Sequence, residues 1–365
     1  MTSWFRRYLL PGFVFQSIII AGGYGTGREL VEFFLQYGPL GGLLGMLLPA
    51  TLVVSITCLI SFELARITKT YDYRTFLKEI LGRAWFLYEL GYLTAVFLIL
   101  AVIGSAAGTF LSETFTLPTA VGTIGLFITI GFLVFKGTKT IERALTVWSF
   151  VLYAVYITFF VMSIAKFGPE IGDALRSGPI RDGWLLSGTR YGALQVSLIP
   201  AMLFATTYIT KRKEAFIAGA LAGPIAIIPG VLFFFAMLGQ YPAIVDRPVP
   251  ANYLLELLGS RSFQIVFQLV LFGTLIETGS GLIHAFNERI ASVYASQERL
   301  MPSYVRPAVA LLLLVVAWLL SRVGLITLIA RGYGVLSWVF MAIFVVPLMT
   351  VGLAKVTRAP QSSTV

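Results

Sequence analysis

Residues 18–34 read IIIAGGYGTGRELVEFF, and the glycines at 22, 23, 25 and 27 interrupt what would otherwise be one apolar helix. Each glycine costs a helix interior about 1 kcal/mol relative to alanine, so four within six residues predict a break. The surrounding apolar run, 11–37, is long enough to cross about 30 Å of hydrocarbon, and the glycines fall near its middle. Unwound backbone cannot face lipid, because each unpaired amide there costs several kcal/mol, so the break predicts a cavity at mid-depth. The half-helix before the break ends near Ala21 and leaves carbonyls suited to a cation. The half-helix after it begins near Gly27 and Arg28, where free N–H groups and the positive dipole end suit an anion.

The rest of the chain supports a membrane setting. Of 365 residues, 58% are hydrophobic and 12% charged, against roughly 25% charged in a soluble domain; mean hydropathy is +0.87. These values exclude a water-soluble body and indicate an all-α integral membrane protein. Apolar runs give ten spans: 11–37, 41–67, 84–112, 118–135, 141–165, 190–210, 215–238, 262–291, 305–321 and 333–354. Arg6 and Arg7 ahead of the first run resemble a signal peptide, but the run continues through the glycines, so an uncleaved span is expected. Residues 323–331 read as an interfacial turn. The net charge of +10 needs no nucleic acid, since 18 of the 27 Lys and Arg fall at one set of span ends, including Lys211, Arg212 and Lys213. That bias places both termini in the cytoplasm, as for a protein of a bacterial inner membrane. A single cysteine, Cys58, and a single histidine, His284, exclude an internal disulfide and make metal or haem chemistry unexpected. No cofactor is expected beyond a coupling ion, H⁺ or Na⁺.

The polar stretch 167–189 divides the chain into 1–166 and 190–358, each with five spans, followed by a tail at 359–365 expected to be disordered. An odd number of spans per half requires the second half to be inverted if the two are repeats. Span six has Pro200 just after Ser197, at the position corresponding to the glycine break in span one. Interrupted helices at matching places in two halves point to a transporter's binding site. The candidate substrate-binding residues are therefore Gly22, Gly23, Tyr24, Gly25, Thr26, Gly27 and Arg28 of the first break, with Ser197 and Pro200 of the second. Ser105 joins them from the small-residue face at 104–108, which either packs against a helix or lines a cavity.

Two carboxylates stand out. Thr26-Gly27-Arg28-Glu29 fits a capping box that would close the first turn of the second half-helix. Glu29 is also placed to hold a proton, a cation or a substrate amino group. Arg28 either pairs with Glu32 one turn on or holds a substrate carboxylate. In span eight, LVLFGTLIETGSGLIHAFNERI (269–290) sets Glu277 about midway along an apolar helix. Thr274, Glu277 and Thr278 share one face at i, i+3, i+4 spacing. They read as an oxygen-rich cation site, a proton-exchanging carboxyl, or a carboxylic acid bonded to a neighbouring helix. Glu89 is expected to salt-bridge or snorkel. Two acids in one low-dielectric cavity cannot both ionise cheaply, so Glu29 and Glu277 together favour proton coupling.

Residues 18–34, with GLIHAFNERI (281–290) and the stretch Ile103–Pro118, resemble YkvI-type membrane proteins, an amino acid permease family of the amino acid–polyamine–organocation superfamily. The resemblance implies a LeuT-type fold: two inverted five-helix repeats with substrate beside the breaks in spans one and six. It also implies that sodium, where used, lies near Ala21, Gly22, Thr274, Glu277 and Thr278. The chain departs from the family pattern at Glu277, where threonine is usual, and lacks a Tyr-Asn pair near the second break. The expected function is secondary transport of a small amino acid or related organic solute, coupled to H⁺ or Na⁺. A non-transporting sensor of the same fold and a channel are the alternatives; an enzyme is not expected, since no nucleophile or metal set exists.

Overall fold

The computed structural model describes residues 3–20, 22–136 and 138–359, which form helices and connecting turns. Expectations for Ala21 and for 360–365 lie outside the described residues. The chain enters through α1 (Leu10–Ile19) and the short α2 (Arg28–Phe33). It continues through α3 (Pro39–Thr68) and α4 (Trp85–Phe115). Next come α5 (Thr119–Lys136), α6 (Thr138–Ser177) and α7 (Trp184–Val196). The remainder is α8 (Arg212–Leu238), α9 (Pro250–Leu258), α10 (Arg261–Ser296), α11 (Val305–Ser321) and α12 (Leu325–Arg358).

Among the described residues six helical runs are long and apolar enough to cross a bilayer, and they supply the main parts of α3, α4, α6, α8, α10 and α12. Their outward faces carry side chains such as Leu90, Leu269 and Val335, each more than 60% exposed. A water-soluble surface does not present such a belt, whereas lipid solvates it. The chain is an integral membrane protein.

Helices meet where small residues let backbones approach. Gly219 and Gly223 of α8 lie directly on the α3 backbone, at Leu59 and at Thr51 and Ser55 respectively. Gly188 and Gly192 of α7 pack on the other side of α3, against Gly45 and Val53. Gly108 and Gly122 bring α4 and α5 together, and the Thr123 hydroxyl donates to the Gly104 carbonyl at 2.8 Å. The face at 104–108 is thus used at Gly104 and Gly108 for packing.

Two connections differ from the sequence reading. Residues 167–177 are helical rather than part of a loop: α6 kinks at Phe167 (φ −115°, ψ 19°), two residues before Pro169, and resumes to Ser177. The proline cannot supply the N–H that a straight helix needs, so it bends the helix without ending it. The interfacial turn expected at 323–331 is confined to its start: from Leu325 the chain is helical. Gly324 (φ +93°) starts the helical run, which continues through π-helical turns into the last span.

Overpacking at the closest crossing is the clearest test of this arrangement. Gly219→Val would drive its side chain into the Leu59 backbone, and overpacking of this kind costs typically 1–3 kcal/mol. The detergent-solubilised variant should melt several degrees lower than wild type, while Gly125→Val, where nothing lies within 4 Å, should not.

Candidate functional site

α1 ends at Ile19, and the Ile20 N–H donates to the Gln16 carbonyl at 3.0 Å. One helical turn follows at Gly22–Gly25, and the Gly27 N–H closes on the Tyr24 carbonyl at 3.0 Å. Gly27 then takes φ +80°, a left-handed conformation that L side chains resist, and α2 restarts at Arg28. The predicted break is present. Its cap is not the predicted one: Gly27 caps α2 without a side-chain hydrogen bond, and the Thr26 hydroxyl accepts from the Arg28 N–H at 3.2 Å. The left-handed residue sets Thr26 one place too early to bond the Glu29 amide, so the capping box does not form.

A second interruption lies in span six. After α7 the amides of Ser197 and Leu198 reach only three residues back, to Leu194 and Gln195 at 3.3 and 3.1 Å. Pro200, which has no N–H, opens the short turn Ile199–Met202. The Ser197 carbonyl released by this change accepts a hydrogen bond from the buried hydroxyl of Tyr88.

Between the two breaks lies a narrow cavity of about 80 Å³. Ile18, Ile19 and Glu29 line it from the first break, and Leu194, Gln195, Ser197 and Leu198 from the second. Tyr92, Ala95, Val96 and Ile99 of α4, Thr278 and Leu282 of α10, and Tyr333 and Leu336 of α12 complete the wall. Glu29 is only 4% exposed, and among the described residues its side chain has no hydrogen-bond or ion-pair partner. A carboxylate in such a place is costly unless a cation or proton joins it.

On one side the loop between α8 and α10 closes over the first break. Arg28 donates to the carbonyls of Val245 (2.7 Å) and Arg247 (3.2 Å) and to the Glu32 carboxylate (3.1 Å). The Ala251 amide donates to the Thr26 carbonyl at 3.0 Å. Asn252 of α9 donates to Glu113 at 3.0 Å and accepts from Gln268 at 3.0 Å. At the opposite face Arg7 pairs with Glu214 (2.9 Å) and Arg66 with Glu63 (2.7 Å).

Of the residues singled out from sequence, Glu29, Ser197 and Thr278 meet at the cavity wall. Arg28 does not: its pairing with Glu32 is present, and its guanidinium also bonds the loop carbonyls of Val245 and Arg247. Glu277 is not among the described lining residues either, so the structure does not bring the two carboxylates into one cavity. At helical spacing, Thr278 faces the cavity and Glu277 turns about 100° away. Thr274 is buried with its hydroxyl bonded to the Val270 carbonyl at 3.0 Å. Pro200 and Ser105 are buried nearby without lining the cavity. Tyr24 points instead to a separate aromatic pocket with Gln16, Tyr153 and Tyr156. Glu89 pairs with Arg289 at 3.0 Å. No group of three or more His, Cys, Asp or Glu side chains suited to a metal occurs among the described residues.

Sequence reasoning missed Gln195, Tyr92 and Tyr333. Gln195 had a legible signal, an amide two residues before Ser197 in an apolar run. The two tyrosines read like any other aromatic in a membrane span.

No protein-family model matches the chain. Over 339 residues it is 25% identical to the uncharacterised membrane protein YkvI of Bacillus subtilis (strain 168), covering 90% of this chain and 92% of YkvI. The resemblance to YkvI-type proteins spans nearly the whole chain. Among solved structures, MhsT in complex with L-phenylalanine matches 94% of this chain and 87% of its own, with a TM-score of 0.60 and 20% identity. A Na⁺-coupled sialic acid symporter in a substrate-bound outward-open state matches 93% and 86%, with a TM-score of 0.53 and 12% identity. The fold is of LeuT type.

Gly25 tests the break directly. A Cβ there would lie 2.6 Å from Leu271 Cδ1 and 2.7 Å from the Tyr156 hydroxyl. Gly25→Leu should leave a folded, monodisperse protein in detergent but abolish ligand-induced thermal stabilisation. Unchanged stabilisation would place the ligand away from this break.

Proposed function

We propose that the protein is a secondary transporter that moves a small amino acid or related organic solute by alternating access. The observation that carries this reading is Glu29: a buried carboxylate without a described partner, at the restart of a broken helix, facing a cavity walled by five separate segments. Static packing gives no reason to keep such a group, whereas a cycle in which a solute or proton comes and goes does. A channel is disfavoured, because the cavity is narrow and capped on one side by hydrogen bonds from the segment between α8 and α10.

In this reading the chain has ten spans in two inverted five-helix repeats, 1–166 and 190–358, with spans one and six interrupted. Both termini, the 68–83 segment and Lys211–Lys213 face the cytoplasm of a bacterial inner membrane. The 167–189 and 239–261 segments face outside, and the latter closes the external route. Glu29, Gln195, Ser197 and Thr278 contact the solute. The coupling ion is H⁺, exchanged at Glu277 or Glu29, or Na⁺ held near Thr274, Glu277 and Thr278.

Topology is checked by labelling. In a Cys58→Ser background, cysteines at the exposed positions Ser177 and Asp182 should react with an impermeant maleimide added outside. Labelling only after the cytoplasmic face is opened would reverse the map. Ser187 is unsuitable, being 3% exposed with its hydroxyl donated to the Phe33 carbonyl at 2.7 Å.

Coupling is checked by counterflow and uphill uptake in proteoliposomes. Wild-type protein should exchange solute with saturation, and the proton reading expects uptake that follows an inward pH gradient without Na⁺. Glu277→Gln should retain exchange while uphill uptake falls by at least tenfold. Uptake that requires Na⁺ and ignores the pH gradient would assign Glu277 and its threonines to sodium.

A further inference from the structure

The cavity narrows the class of solute beyond the transporter reading on which this inference rests. Its charged wall is one-sided. Glu29 supplies a carboxylate, and no Lys, Arg or His stands among the described lining residues. The cation next in sequence, Arg28, is spent elsewhere: its guanidinium donates to Val245, Arg247 and Glu32. Of the polar groups beside Glu29, Tyr92, Thr278 and Tyr333 carry hydroxyls that can donate or accept, and Ser197 and Gln195 can accept. The Ser197 hydroxyl donates its proton to the Leu194 carbonyl at 2.6 Å, which leaves only lone pairs for a ligand. The Gln195 carboxamide can turn its oxygen inward. Ile18, Ile19, Val96, Ile99 and Leu282 supply an apolar wall around these acceptors.

An ammonium group offers three N–H donors and a positive charge, and so matches a carboxylate, a hydroxyl oxygen and an amide oxygen. A free carboxylate in the same space would face Glu29 in a low dielectric with no described cation to offset the repulsion. We infer that the cavity takes an apolar organic monocation, an amine that lacks a carboxylate, in preference to a zwitterionic amino acid.

Three probes with one isobutyl body separate the alternatives: 3-methylbutan-1-amine, leucine and 4-methylpentanoate. Binding to the purified, lipid-reconstituted full chain is measured by calorimetry and thermal shift, and exchange by counterflow. The amine should bind at least tenfold more tightly than leucine, and 4-methylpentanoate should not bind. Glu29→Gln should weaken amine binding by at least thirtyfold, while Glu29→Asp, which keeps the charge, should stay within tenfold of wild type; melting curves confirm that both variants are folded. Leucine binding as tight as the amine, amine binding untouched by Glu29→Gln, or binding of none of the three would overturn the inference. Amine binding without any counterflow would overturn the transporter reading and leave the ligand class standing. Leucine exchange without amine exchange would do the reverse.

Discussion

Backbone amides in hydrocarbon must find partners within the protein, and the architecture around the two interrupted helices answers that requirement. At the first break the freed Thr26 carbonyl is met by the Ala251 amide, and the Arg28 side chain ties the same turn to the loop carbonyls of Val245 and Arg247. At the second, the Ser197 carbonyl is met by the Tyr88 hydroxyl from α4. The partners come from distant parts of the chain, so each break is also a long-range tie. An unbroken helix would satisfy itself and would need none of these contacts.

The same constraint accounts for the chemistry of the cavity. Interrupting two helices side by side clears space that packed side chains would otherwise fill. The residues bordering that space are then free to be polar. Glu29, Gln195, Ser197 and Thr278 sit there, among Ile, Leu and Val side chains that line the rest of the same space. Arg28 shows how sharply direction matters. Adjacent to Glu29 in sequence, it points to the loop carbonyls of Val245 and Arg247 instead.

The break itself was legible because four glycines in six residues leave few other readings. The membrane class was equally legible from 58% hydrophobic residues. What the sequence did not disclose was facing. The choice between Glu277 and Thr278 as the cavity residue is a matter of one step round a helix, and nothing in an apolar stretch fixes that rotation without its neighbours. The capping box failed for a related reason: Gly27 can serve as cap itself once it turns left-handed. The loop assignment at 167–189 began too early, since α6 bends at Phe167 and goes on to Ser177.

The first span is moored to α8 along its whole length. Arg7 holds Glu214 near one end of α8, the Gln16 amide bonds the Ile225 carbonyl at its middle, and Gly12 rests against Ala222 and Ile225. Beyond the other end, Arg28 grips the segment that follows α8. Two rods lashed at three points do not slide past each other. Any rocking that opens the cavity must therefore carry span one and α8 as a single lever, together with α3, whose backbone lies on Gly219 and Gly223. The opposite wall of the cavity comes from α4, α10 and α12, none of which shares those ties.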